Sequence, residues 1–245
     1  MLPGPERIVR LLGEIPKIRK FVLIGGTAIA LQTRHRDSED LDFAYLDRPL
    51  PRSTIRAICD ALRSKGVSVE KVQSLSAAQE RENAGFDLDD AQQDYVADGT
   101  KLSFFILHDE ERAALADGAP REIDGIRVAG LETLFRLKAL LLTHRITRRD
   151  LYDLYFFTHD QGRPASAIFD VIHRHAPHYR DEVIKHRLLT QPFRADDPGF
   201  DSLVSRRIDV ETIRAWFEEE ISRLEVERAE SAAREADSGS SPGPG

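Results

Sequence analysis

One segment constrains this chain more than any other: Phe21-Val22-Leu23-Ile24-Gly25-Gly26-Thr27, followed after twelve residues by Asp40-Leu41-Asp42-Phe43-Ala44-Tyr45. Four apolar residues ending at a glycine pair describe a short buried strand that turns sharply at Gly25-Gly26. Thr27 is placed to cap a short helix through Leu31, and Asp40 to Tyr45 alternates polar and apolar at period two, the mark of a half-buried strand. Alternate strand positions face the same side at a spacing of about 6–7 Å, so the Asp40 and Asp42 carboxylates stand side by side. Two such oxygen ligands suit Mg2+ (or Mn2+), with substrate phosphates completing the coordination shell. Backbone N–H groups at a helix start, here behind Gly25 and Gly26, hold phosphate, and the Thr27 hydroxyl adds a donor. A glycine pair alone would be a tight turn, and an Asp-x-Asp alone a solvated strand edge. Together, at this spacing, they point to a nucleoside triphosphate and its metal.

The rest of the chain divides in two. Helical spacing of Ile8, Leu11, Leu12 and Ile15 precedes the first strand, and a helix over 53–64, with Ser53 as its N-cap, ends at Gly66. Strands are predicted over 67–72, 93–97 and 101–107, the last two joined through the hairpin signal Asp98-Gly99, and over 122–128, interrupted at Asp124-Gly125. After Gly130 the pattern becomes helical, over 131–142, 150–158, 165–175 and 210–228, without a convincing strand. The expectation is an α+β chain: a mixed-sheet core domain over 1–129, a helical domain over 130–230 and a low-complexity, disordered tail over 231–245.

The Val22–Leu31 block and Arg36-Asp37-Ser38-Glu39-Asp40-Leu41-Asp42-Phe43 resemble the AbiEii/AbiGii toxin family, within the polymerase-beta-like nucleotidyltransferase superfamily. A second block, Leu137-Lys138-Ala139-Leu140 and then Arg149-Asp150-Leu151-Tyr152-Asp153-Leu154-Tyr155, resembles that family's Lys-then-Arg-Asp-x-x-Asp-Leu helical motif. The resemblance covers about Phe21 to Phe157. It implies a polymerase-beta-like core followed by a C-terminal helical bundle, and transfer of a nucleotide from an NTP to an acceptor. In family members that act as toxins the acceptor is a tRNA 3′ end, and a cognate antitoxin is the partner. By the same resemblance Asp40 and Asp42 would bind the metal, and Gly25, Gly26 and Thr27 would hold the triphosphate. Lys138 would neutralise phosphate charge, and Asp153 would be the further acid of the site. Small molecules or protein side chains are alternative acceptors, and a catalytically degenerate binding protein is the alternative from another class.

One position departs from the superfamily pattern. Where many such enzymes carry a third carboxylate on a later strand, this chain has Ser103, within Leu102-Ser103-Phe104. Either Asp153 supplies that acid, or the site holds one metal, or it is impaired. Asp87-Leu88-Asp89 lacks a preceding glycine turn and reads as a solvated loop, and His173, His175 and His178 as surface or packing residues. Asp150 reads as a salt-bridged surface acid, with Arg149 or Lys138 as a partner.

Composition sets the remaining bounds. With 41% hydrophobic residues, 31% charged and one cysteine, the chain can bury a core, cannot form an internal disulfide, and fits a reducing compartment. Pro3 and Pro5 interrupt any secretory leader, and no apolar run is long enough for a membrane helix, so the expectation is a cytoplasmic protein. The net charge of −7 would ordinarily disfavour nucleic acid as a partner. Between Glu218 and Asp237, however, eight acids meet three arginines, so most of that charge belongs to the C-terminal segment. Arg136 to Arg149 carries five basic residues and no acid, which leaves an RNA acceptor open.

Overall fold

The computed structural model of the chain describes residues 2–72, 87–197, 199–204 and 208–239. They form two compact units, one from the described residues of Met1–Leu140 and Ser202–Arg206, the other from those of Leu141–Asp201 and Arg207–Gly245. The boundary falls inside the helix that follows Gly130, rather than before it.

The first unit is a mixed seven-stranded sheet with helices. In chain order it contains α1 (Pro3–Gly13), β1 (Val22–Ile24), α2 (Gly25–Thr33), β2 (Asp40–Tyr45), α3 (Arg52–Ser64), β3 (Val69–Val72), β4 (Gln92–Ala97) and β5 (Thr100–Ile106). Then come α4 (Asp109–Ala116), β6 (Arg121–Ile123), β7 (Ile126–Val128) and α5 (Leu131–Leu141). The strand order is β3-β4-β5-β2-β1-β7-β6. Pairing is parallel for β2 with β5 and β1 with β7, and antiparallel elsewhere. β1 and β2 thus each pair in parallel with a strand distant in sequence.

Alternation gives the sheet two unlike faces. Leu41 and Phe43 of β2, Leu102 and Phe104 of β5, and Tyr95 and Ala97 of β4 are buried on one face. Phe104 meets Phe43 at 5.7 Å, Phe21 at 4.9 Å and Tyr95 at 6.3 Å between ring centroids, an aromatic centre to this core. The opposite face carries Asp40 and Asp42, Lys101 and Ser103, and Gln92 and Asp94. Burial of the first face is what fixes the second, because a slip of one residue would exchange them.

The β4–β5 hairpin turns at Asp98-Gly99, both at positive φ (45° and 82°), as a two-residue turn of this type requires. A second Asp-Gly turn makes β6 and β7 a hairpin rather than one interrupted strand. Helix α2 begins at Gly25 and runs to Thr33, with no side-chain cap, so Thr27 lies within its first turn instead of capping it. Helix α3 starts at Arg52, with Pro51 rather than Ser53 at the cap position. Most of 74–90 lies outside the described residues; its last part, Leu88–Asp90, is a short 3-10 turn.

The second unit is helical. Helix α6 (Arg148–Tyr155) opens on a capping box, in which the Thr147 hydroxyl accepts from the Asp150 N–H (3.1 Å) and Asp150 accepts from the Thr147 N–H (3.2 Å). It loosens into a π turn over Phe156–Asp160 and is followed by α7 (Ser166–His175), α8 (Asp181–Leu189) and α9 (Val210–Gly239). Leu151, Leu154, Phe157, Ile168, Ile184 and Phe217 are among its buried side chains, and Trp216 meets Tyr155 edge-on at 5.3 Å. Helix α9 continues past residue 230, where a disordered tail was expected; only residues 240–245 of that tail lie outside the described residues. No described helix is long and apolar enough to cross a membrane.

Candidate functional site

Gly25 sits where β1 becomes α2, at φ +73°, a left-handed conformation that only glycine adopts without strain. Across the antiparallel ladder Ile24 pairs with Asp42, which brings the second carboxylate of β2 to the start of α2. A Cβ at position 25 would stand 2.8 Å from Asp42 Oδ2. Glycine is therefore required twice over, by the backbone and by the carboxylate beside it. At Gly26 a Cβ would stand 2.2 Å from an Arg36 Nη, because the Arg36 guanidinium lies directly against that backbone.

Thr27 holds the two halves of the motif together. Its hydroxyl hydrogen-bonds the Asp40 carbonyl and lies 2.7 Å from the Ser38 hydroxyl, with Thr27 1% exposed and Ser38 5%. A hydroxyl has one proton, so the donor that sequence reasoning offered to a phosphate is engaged with the backbone of β2. The Thr27 side chain thus fixes where Asp40 emerges. Arg36, also buried, donates from Nη1 to the Asp37 carbonyl at 2.9 Å.

Gly25, Gly26, Thr27, Asp40 and Asp42 are thus gathered at one end of β1 and β2. Lys138 is in the same unit, on α5, and is buried although charged (7% exposed). Asp153 belongs to the other unit, where it is fully buried on α6. Asp150, three residues earlier, is not a surface acid: it is 3% exposed, closes the capping box and pairs with Arg145 at 2.6 Å. Rather than a surface acid, it is a structural residue at a helix start.

The basic run from Arg136 to Arg149 is interrupted before α6, so its members do not share one helix face. Arg136 pairs with Glu132 (3.2 Å), Arg148 donates to the Asp197 carbonyl (3.3 Å) and Arg149 to the Gly199 carbonyl (2.8 Å). Much of that positive charge serves internal contacts. Asp87 pairs with Arg52 and Asp89 with Lys71, each at 2.5 Å, on the surface. His173 pairs with Asp181 at 2.6 Å, and His178 meets Tyr179 at a tilt, 4.5 Å between ring centroids.

Sequence reasoning missed two neighbours of the aspartates. Ser103 does stand beside Asp42 in register, and Asp94 of β4 stands beside Ser103, so Asp42, Ser103 and Asp94 form one row across the polar face. Lys101 is the register partner of Asp40 on the same face and is exposed. Neither is marked by a local motif; only the strand order brings them in.

Over 144 residues, 58% of its length, this chain is 28% identical to the uncharacterized protein aq_aa25 of Aquifex aeolicus (strain VF5), an alignment that spans 59% of that protein. Among solved structures it is similar to JHP933 from Helicobacter pylori, at 16% identity and TM-score 0.46, covering 95% of this chain and 96% of that one. It is also similar to the Megavirus polyadenylate synthase, at 12% identity and TM-score 0.39, covering 72% of this chain and 32% of that one. Residues 8–237 match the family described as nucleotidyl transferase AbiEii toxin, Type IV TA system, and the chain belongs to that family.

Proposed function

We propose that this chain transfers a nucleotide from a metal-bound NTP to an RNA hydroxyl, with a tRNA 3′ end as acceptor, as the toxin of a toxin–antitoxin pair. The observation that carries the reading is the register of Ile24 with Asp42, which seats a carboxylate pair against an uncapped, glycine-opened helix start. Family membership supports it. The donor set fits Mg2+ or Mn2+: Asp40 and Asp42 offer hard oxygen ligands from one strand face, and Gly25 keeps the space beside Asp42 Oδ2 clear. Among the described residues no group of three or more His, Cys, Asp or Glu side chains is placed to hold a metal ion, so substrate oxygens would complete its shell.

The roles follow from charge and position. Asp40 and Asp42 would hold the metal, which when bound neutralises triphosphate charge as the leaving pyrophosphate develops. The N–H groups at the start of α2, at Gly25, Gly26 and Thr27, would receive phosphate oxygens, with the positive end of the helix dipole behind them. Lys138, of the same unit, would offset phosphate charge. In-line transfer of this kind rests on positioning and charge neutralisation rather than on a covalent intermediate.

The test is incubation of purified protein with Mg2+, each labelled NTP, and total tRNA or a lysate. Label in RNA supports the reading, and label in protein or small molecules replaces the acceptor. No transfer with any NTP, together with an Asp40→Ala variant that keeps its effect on cell growth, refutes it.

A further inference from the structure

Two rows of side chains cross the polar face of the sheet, and they differ in what can reach them. The row of Asp42 runs on through Ser103 and Asp94, which are 3% and 7% exposed, so protein covers it there. The row of Asp40 runs on through Lys101 of β5, Val96 of β4 and Glu70 of β3. In this second row Asp40 and Val96 are half-buried while Lys101 and Glu70 are exposed, so it stays open to solvent. The Lys101 side chain makes no ion pair or hydrogen bond among the described residues, although Asp40 stands only one strand spacing, about 4.8 Å, away. An uncommitted ammonium therefore adjoins the carboxylate pair on its accessible side.

Position decides what that ammonium would hold. The glycine-opened start of α2 reaches the carboxylates from the β1 side of β2, through the pairing of Ile24 with Asp42, and is the place for the triphosphate. Lys101 flanks the same carboxylates from the β5 side. In an in-line displacement the attacking oxygen and the leaving pyrophosphate stand on opposite sides of Pα. With pyrophosphate towards β1, the acceptor approaches over β5, where Lys101 stands. A lysine side chain is longer than one strand spacing of about 4.8 Å, so its charge can meet a group seated beside Asp40.

We propose that Lys101 is an acceptor-binding residue: its ammonium holds a backbone phosphate of the RNA strand beside the terminal ribose. The inference rests on the nucleotidyltransferase reading above and adds to it the side from which the acceptor enters. A phosphate contact carries no base information, so Lys101 favours a phosphate-bearing acceptor over a small molecule or a protein side chain without selecting a sequence.

Lys101→Gln and Lys101→Arg test this with labelled NTP and tRNA. The expected result is that Lys101→Gln raises KM for tRNA by about fivefold or more, leaves kcat and KM for the NTP within about threefold, and is largely restored in Lys101→Arg. Fluorescence anisotropy on labelled tRNA without NTP should show the same loss of affinity. The slope of log affinity against log salt should become shallower by about 0.7–0.9, the share of one phosphate contact. An unchanged KM and salt slope for tRNA in Lys101→Gln, with a wild type that transfers to RNA, overturns the role of Lys101 and leaves the reading above standing. A rise in KM for the NTP alone places Lys101 on the triphosphate and also overturns it. Absence of transfer to RNA by the wild-type chain overturns the reading above, and the role of Lys101 with it.

Discussion

Replacing Thr27 with valine keeps the shape of a fully buried side chain and removes one hydroxyl, so it isolates the tie between α2 and β2. That hydroxyl meets two groups, the Asp40 carbonyl and the Ser38 hydroxyl. Each buried polar group deprived of its partner costs about 1–3 kcal/mol, and Ser38 can rotate to recover part of its share, so Thr27→Val should destabilise by about 3 kcal/mol. Thr27→Ser is the control: it keeps the hydroxyl and loses one methyl, for about 1 kcal/mol. Urea unfolding followed by circular dichroism reads both variants, the loss appearing in the transition of the sheet-containing unit. Freed from its anchor, Asp40 should also hold its ligand less well, and Mg2+·NTP affinity should fall about tenfold in Thr27→Val but not in Thr27→Ser. If the two variants agree within 0.5 kcal/mol, a margin typical of effects away from special contacts, the hydroxyl does not hold β2 and the reasoning fails.

Three further outcomes are expected. Gly25→Ala must adopt φ +73° and push against Asp42 Oδ2, so it should cost about 1–2 kcal/mol in urea unfolding and weaken Mg2+·NTP binding by more than tenfold in calorimetry. Asp150→Ala removes both a capping-box acid and the Arg145 partner, and should destabilise the helical unit by about 2 kcal/mol, read as an earlier urea transition. Burial pushes the Cys59 thiol up to about 11, so at pH 8 a thiol reagent should label it only after unfolding. Its folded value exceeds the unfolded one, near 8.5, so that contribution is whole below about pH 8.5 and is lost as pH rises towards 11, at up to about 1.4 kcal/mol per pH unit. Cys59→Ala should flatten this alkaline loss between about pH 8.5 and 10, while the loss from about pH 10 upward that belongs to Tyr95, which burial pushes up to about 12, remains.

What the sequence made legible was local. A glycine pair after four apolar residues, and two aspartates at period two, are decided by neighbours within a few positions, and both stand where those patterns put them. The helices α4 and α8 escaped notice because they bury little: α8 turns only Ile184 and Leu188 inward, too few to establish a helical period. Arg36 and Asp94 escaped for another reason, since what matters about each is a contact made through the fold. Asp94 lies 52 positions from Asp42 in the chain and two strands away in the sheet, a distance set by the order β4-β5-β2. Which side chains of β4 reach that row is decided at the far end of the hairpin, where the two-residue Asp98-Gly99 turn pairs Ala97 with Thr100. One extra residue in the turn would shift the register by one and exchange the faces of β4, sending Asp94 into the aromatic core and Tyr95 onto the polar face. The burial of Tyr95 and Ala97 opposes that slip, so the same apolar side chains that stabilise the core hold the Asp94 carboxylate in the row of Asp42.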